Sequence, residues 1–282
     1  MVSFAQRMRL RPIRSLVQTD ALDEETRTEL WNVVLVIYRT MSQRELSYQP
    51  VGNLTSAMWA WEFKKPRDEE PGEQKVWSLV KAQVLTGEWF DALDIIEAYV
   101  GYLERFCSWH SENLVAQTVE AFNGVFESYM VGYRFIEQKI VPLDNDADAE
   151  AVTSAFEAAG DFSGARGHLQ RAAELLADRK NPDYANSIKE SVSAVEAVVR
   201  KVTKEGTLGA GLKKLKDAGV TIHPALEGAW SKMYGWTSDA QGIRHAAVEA
   251  TEADQAIAKY MLVTCSAFVT YLIESGRKAE LI

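Results

Sequence analysis

Cysteine, histidine and proline are scarce in this chain. Only two cysteines, Cys107 and Cys265, occur in 282 residues, far apart and in no CxxC pair. That excludes a disulfide framework and the usual thiolate zinc sites, and reads as two reduced, buried thiols. The four histidines, His110, His168, His223 and His245, form no HxxxH or HExxH. No zinc site is therefore expected, and no metal or cofactor is assigned, a carboxylate-only magnesium site being the alternative this pattern leaves open. There is no GxxxxGK[ST] phosphate loop and no GxSxG elbow. Seven prolines leave room for long helices. The apolar stretch Tyr260 to Ile273 is broken by Thr264, Ser266 and Thr270 and is shorter than a bilayer span. The N-terminus carries Arg7, Arg9, Arg11 and Arg14 without the apolar core of a secretion signal. The expectation is a cytoplasmic protein with no membrane partner.

Positive charge is also in deficit. The net charge is -9, which argues against a general coat for duplex DNA and confines any nucleic-acid contact to a local basic patch. One such patch is Lys213, Lys214 and Lys216. It ends a glycine-rich run, Gly206 to Lys214, that reads as a loop opening a short helix.

What is abundant is helical patterning. Asp20 to Glu25 places capping and acidic residues ahead of Leu30, Val33, Val34, Ile37 and Tyr38 at helical spacing. Lys64 to Gly72, with Pro66 and Pro71, reads as an exposed loop. Further helices are expected near 73–85, 88–108, 111–122 and 125–138. Six of the eight tryptophans lie in this half: Trp31, Trp59, Trp61, Trp77, Trp89 and Trp109. Packing between helices is a commoner use for them than stacking on a nucleobase.

Pro142 to Glu150 reads as a joint leading into a helix that starts near Ala147 or Asp148. Beyond it, Asn181-Pro182-Asp183 marks a helix start with Asn as the cap. Tyr184, Ile188, Val192, Val195, Val199 and Val202 then recur every three or four residues, beside the small residues Ser187, Ser191, Ala194 and Ala197. Short helices follow, from Leu208 to Leu215 and from Pro224. Asp239 is the expected cap of a helix bearing Arg244 and His245. An apolar helix from about Glu252 to Ser275 is expected at the centre of its unit. No segment reads as a strand. The fold class is all-α, with an N-terminal Trp-rich helical domain over 1–141 and a helical bundle over 142–282.

Arg244 and His245 carry the clearest chemistry. Arg offers a permanent charge and a planar fork for phosphate oxygens, and His titrates near neutrality. Glu249, four residues on, shares a helical face with His245 and suits it as an orienting partner. An acid–base group beside a phosphate clamp is what RNA cleavage by its own 2′-hydroxyl needs. Taken alone, an adjacent Arg and His on a helix are more often solvated or structurally paired.

Several blocks are familiar. Asp183 to Glu196, Thr207-Leu208-Gly209, Ile222-His223-Pro224-Ala225-Leu226, Tyr234-Gly235 and Gly242-Ile243-Arg244-His245-Ala246 resemble the HEPN-type C-terminal domain of bacterial abortive-infection proteins. Ser3 to Arg7, with Leu30-Trp31-Asn32, is similar to an N-terminal module of AbiJ-like proteins. The resemblance implies a helical bundle that pairs into a homodimer, often a metal-independent endoribonuclease whose Arg and His meet at the dimer interface. RNA would be the substrate and a phage-derived signal the trigger. Arg244 matches the signature Arg and His245 its polar position. Glu249 stands where the shortest signature places the second His, and no His follows. Either His245 serves as the acid or base with Glu249 behind it, or the domain only dimerises or binds a nucleotide or partner. Lys213, Lys214 and Lys216 would guide the RNA backbone.

Overall fold

The computed structural model describes residues 17–43, 48–107, 113–178, 181, 183–238 and 253–282. It divides into two compact units, Met1–Ile140 and Val141–Ile282. Eleven α-helices and one two-stranded hairpin account for the regular structure of the described residues, an all-α fold.

In the N-terminal unit, α1 (Glu24–Gln43) begins as its sequence predicts. Asp23 accepts from the Thr26 N–H at 2.9 Å and so caps the first turn. α2 (Tyr48–Ala57) runs into a wider π turn, Met58–Glu62, closed by the Phe63 N–H on the Met58 carbonyl. Trp59 turns inward and donates to the Pro66 carbonyl at 2.6 Å, whereas Trp61 is left 38% exposed. α3 (Glu73–Thr86), α4 (Trp89–Cys107) and α5 (Leu114–Ser128) complete the helices. Leu30, Val34, Val80, Ile96, Tyr99, Phe122 and Phe126 are buried at their centre. Core packing thus absorbs Trp31, Trp59 and Trp77, as expected, but not Trp61, while Trp109 lies outside the described residues.

The expected helix over 125–138 is not formed. α5 ends at Ser128, and Arg134–Ile136 pairs with Lys139–Val141 as β1 and β2. Two side chains from the helices substitute for a third strand. The Asn123 amide brackets Phe135, accepting from its N–H at 2.7 Å and donating to its carbonyl at 3.0 Å. Glu97 accepts from the Ile140 N–H at 2.7 Å. Phe135 meanwhile stacks on Phe122 and Phe126, so burial and these hydrogen bonds outweigh the local helical pattern.

The C-terminal unit opens with α6 (Asp146–Ala158), capped by Asn145, one or two residues before the expected start. α7 (Ser163–Ala177) and α8 (Tyr184–Thr203) pack closely. Asp183, rather than Asn181, caps α8, accepting from the Asn186 N–H at 3.0 Å. Ile188, Val192, Val195, Val199 and Val202 are buried as their spacing predicts. Ser187 and Ser191 are buried too, and Ser187 donates to the Ala172 carbonyl of α7 at 2.8 Å. α9 (Leu208–Lys214) and α10 (Pro224–Ser238) follow, with Gly219 between them at φ +99°, a backbone shape that favours glycine.

α11 (Gln255–Lys278) is capped by Asp254 and packs against α6, α7 and α8. Its 24 residues extend past the apolar stretch read from sequence, and by length and composition it could cross a membrane. Half of its most apolar window is buried inside the protein. Cys265 on this helix and Cys107 on α4 are both buried free thiols.

Candidate functional site

Arg244, His245 and Glu249, the catalytic residues expected from sequence, lie outside the described residues, as does the Asp239 cap. They fall between Ser238, the last residue of α10, and Asp254, the cap of α11.

The expected RNA-guiding lysines are described. Lys213 and Lys214 end α9, and Lys216 lies in the turn beyond it. All three are exposed. Leu208, Gly211, Leu212 and Leu215 point inward, so the amphipathic pattern forces the lysines out. Their charge is partly answered within the unit. Lys214 Nζ lies 2.9 Å from Glu205 Oε1, and this hydrogen bond, with the charges of Glu205 and Asp217, raises the Lys214 pKa above its ordinary value. The patch is thus less positive than its sequence implies.

The described histidines have local duties. His223 Nδ1 accepts from the Ala225 N–H at 3.2 Å and helps start α10. His168 Nδ1 on α7 lies 2.6 Å from Glu190 Oε2 on α8, with the His side chain 41% exposed. Sequence reasoning missed this pair. The two residues are 22 apart, and no periodic signal links them. Among the described residues, no group of three or more His, Cys, Asp or Glu side chains could hold a metal ion.

A second feature flanks the joint. Lys259 of α11 reaches Asp144 at 2.8 Å, and its ammonium holds the Asp144 carboxyl below the usual carboxylate range.

Among the described residues, little covers one face of α11. Ala256, Tyr260, Ala267 and Tyr271 are exposed along it, with Tyr260 54% and Tyr271 38% accessible. No charged residue interrupts that stripe until Glu274. On α10, Leu226 and Trp236 are likewise exposed, while Trp230 is buried and stacks on Phe268 of α11 at 3.9 Å.

These features define a helical protein with a Trp-rich N-terminal unit and a C-terminal bundle around an apolar helix. Comparison with known families places the N-terminal part. The model of AbiJ N-terminal domain 4 matches residues 2–158, more than half of the chain, from the N-terminus to the end of α6. The chain belongs to the AbiJ N-terminal domain 4 family of abortive-infection defence proteins. No curated protein and no solved structure matches it.

Proposed function

We propose that the chain is a cytoplasmic effector of bacterial anti-phage defence that cleaves RNA without a metal ion through a HEPN-type C-terminal domain. Membership in the abortive-infection family carries this reading, together with the Arg244-His245 pair in a segment that resembles the HEPN signature. Arg244 holds the scissile phosphate and offsets the charge that develops on it. His245 takes the proton of the 2′-hydroxyl or delivers one to the leaving 5′-oxygen, and Glu249 orients its ring. The products are a 2′,3′-cyclic phosphate and a 5′-hydroxyl. Two copies meet through the C-terminal domain. The uncharged outer stripe of α11, with exposed Tyr260 and Tyr271, supports such pairing, since exposed apolar faces mark interaction surfaces. Lys213, Lys214 and Lys216 guide the RNA backbone, and the N-terminal unit responds to a phage-derived trigger.

A second reading is favoured by two observations. Lys214 is already engaged by Glu205, and no histidine follows His245, so the domain would dimerise or bind a nucleotide or partner without cutting.

Labelled RNA incubated with the full chain and a chelator separates the two. Under the first reading the native protein cleaves it, and Arg244→Ala and His245→Ala each abolish cleavage with the fold intact. Cleavage that survives both changes removes this site. A native protein that leaves varied RNAs intact, with and without phage extract, supports the binding module.

A further inference from the structure

α1 and α3 lie antiparallel, and their contacts fix a register. Arg27 donates to the Val84 carbonyl at 2.9 Å, Lys81 stands over the Trp31 ring at 5.9 Å, and Tyr38 meets Trp77 with ring centroids 4.6 Å apart. Between the last two rungs opens a groove of about 340 Å³, within the size range of small-ligand sites. Its walls are Trp31, Tyr38 and Trp77, with Leu35 between them on α1. Two of the walls are anchored by contacts. Trp77 donates to Thr55 at 3.1 Å and meets Tyr99 edge-on, and Tyr38 donates to Glu73 at 2.6 Å.

The polar groups of the groove sit at its two ends. Lys81 is at one end. Among the described residues no carboxylate pairs with it, and its charge rests on the Trp31 ring alone. Gln74 is at the other end, and its side-chain amide is unengaged among the described residues. Seven helical residues separate the two, a rise of about 10 Å. That is the span of a base, a ribose and one phosphate.

A second groove in the same unit, of about 430 Å³, provides a contrast. Its lining carries three carboxylates, Glu62, Asp94 and Glu97, which disfavour a phosphate there; Lys139 pairs with Glu97 at 2.9 Å and Arg105 stands over the Trp61 ring at 4.9 Å. The α1–α3 groove has no carboxylate in its lining and places aromatic walls between a cation and an amide.

We infer that the α1–α3 groove binds a nucleoside monophosphate, with the base laid along the groove's aromatic wall, its edge on Gln74, and the phosphate on Lys81. Stacking on aromatic faces tolerates any base, and the amide of Gln74 both donates and accepts. The assignment is independent of the ribonuclease reading, because no residue of the C-terminal unit enters it and its readout is binding.

Calorimetric titration of the full chain with AMP, GMP, CMP and UMP tests it, with adenosine as the phosphate-free probe. At least one monophosphate is expected to saturate a single site. Lys81→Ala should weaken that ligand about tenfold, the effect of losing one charged hydrogen bond, while leaving adenosine unchanged. Ser78 lines the groove, is exposed, and among the described residues bonds to the Gln74 carbonyl of its own helix. Ser78→Trp should therefore fill the groove and abolish both ligands with the helical circular dichroism retained. Failure of all four monophosphates to bind the native chain overturns the inference. So does binding that both variants leave unchanged, or a Lys81→Ala loss equal for adenosine and the monophosphate.

Discussion

His168 and Glu190 join α7 to α8 through a 2.6 Å contact between Nδ1 and Oε2, both side chains partly open to solvent. Partly exposed ion pairs contribute little, because water screens them and two long side chains must be held still. Glu190→Ala is expected to lower the free energy of unfolding by about 0.5–1 kcal/mol. A double-mutant cycle with His168→Ala, read by urea denaturation, isolates the coupling between the two. A coupling indistinguishable from zero would show that the contact does not contribute to stability.

Tyr38 provides a pH test. Burial, followed by its hydrogen bond and proximity to Glu73, pushes its pKa from 10.0 up to about 12. Burial also raises Tyr99 well above its ordinary value. A raised phenol pKa means that the fold favours the neutral ring. The stability it carries is whole below pH 10 and is lost as pH rises through about 12. Tyrosinate absorbance should show a late phase coincident with alkaline unfolding. Tyr38→Phe should remove one equivalent from that phase, and an unchanged late amplitude would contradict the assignment.

Two glycines of the run before the lysine patch should respond in opposite ways. A Cβ on Gly211 would fall 2.3 Å from Val199 Cγ1 and 3.1 Å from Thr203 Oγ1, both on α8. Gly211→Ala must push α9 off α8 and is expected to cost about 1–3 kcal/mol. On Gly209 the nearest atom is Tyr234 Cε1 at 3.9 Å, an ordinary contact. Gly209→Ala should be neutral or stabilising by up to about 1 kcal/mol, since alanine is the better helix former. Equal urea midpoints for the two variants would sink the close-approach argument.

These glycines show where sequence reading stops. The run was legible as the opening of a short helix, and Thr207 does cap α9. Which glycine is needed was not legible, because the reason is an α8 side chain 12 residues away in sequence. The hairpin is a second case. Phe135, Ile136, Ile140 and Val141 look apolar in either period over so short a stretch, and the turn between them carries Glu137 at φ 53°, with no glycine or asparagine to announce it. The candidate site divides in the same way. Arg244, His245 and Glu249 were named from sequence alone and lie outside the described residues, while the Glu205 that answers Lys214 became visible only in the fold.

By itself the sequence determined the helical class, the capped start of α1, and the buried face of α8. Caps and helical periods depend on residues within about one turn of each other, and neighbours in the chain encode them directly. Tertiary structure alone decided the Asn123 clamp on Phe135, the His168–Glu190 contact, the approach of Gly211 to Val199, and the groove between Trp31 and Trp77. Each depends on which helical faces meet and at what register. That choice belongs to the packing of the whole unit, where burial and hydrogen bonding outweigh local preference.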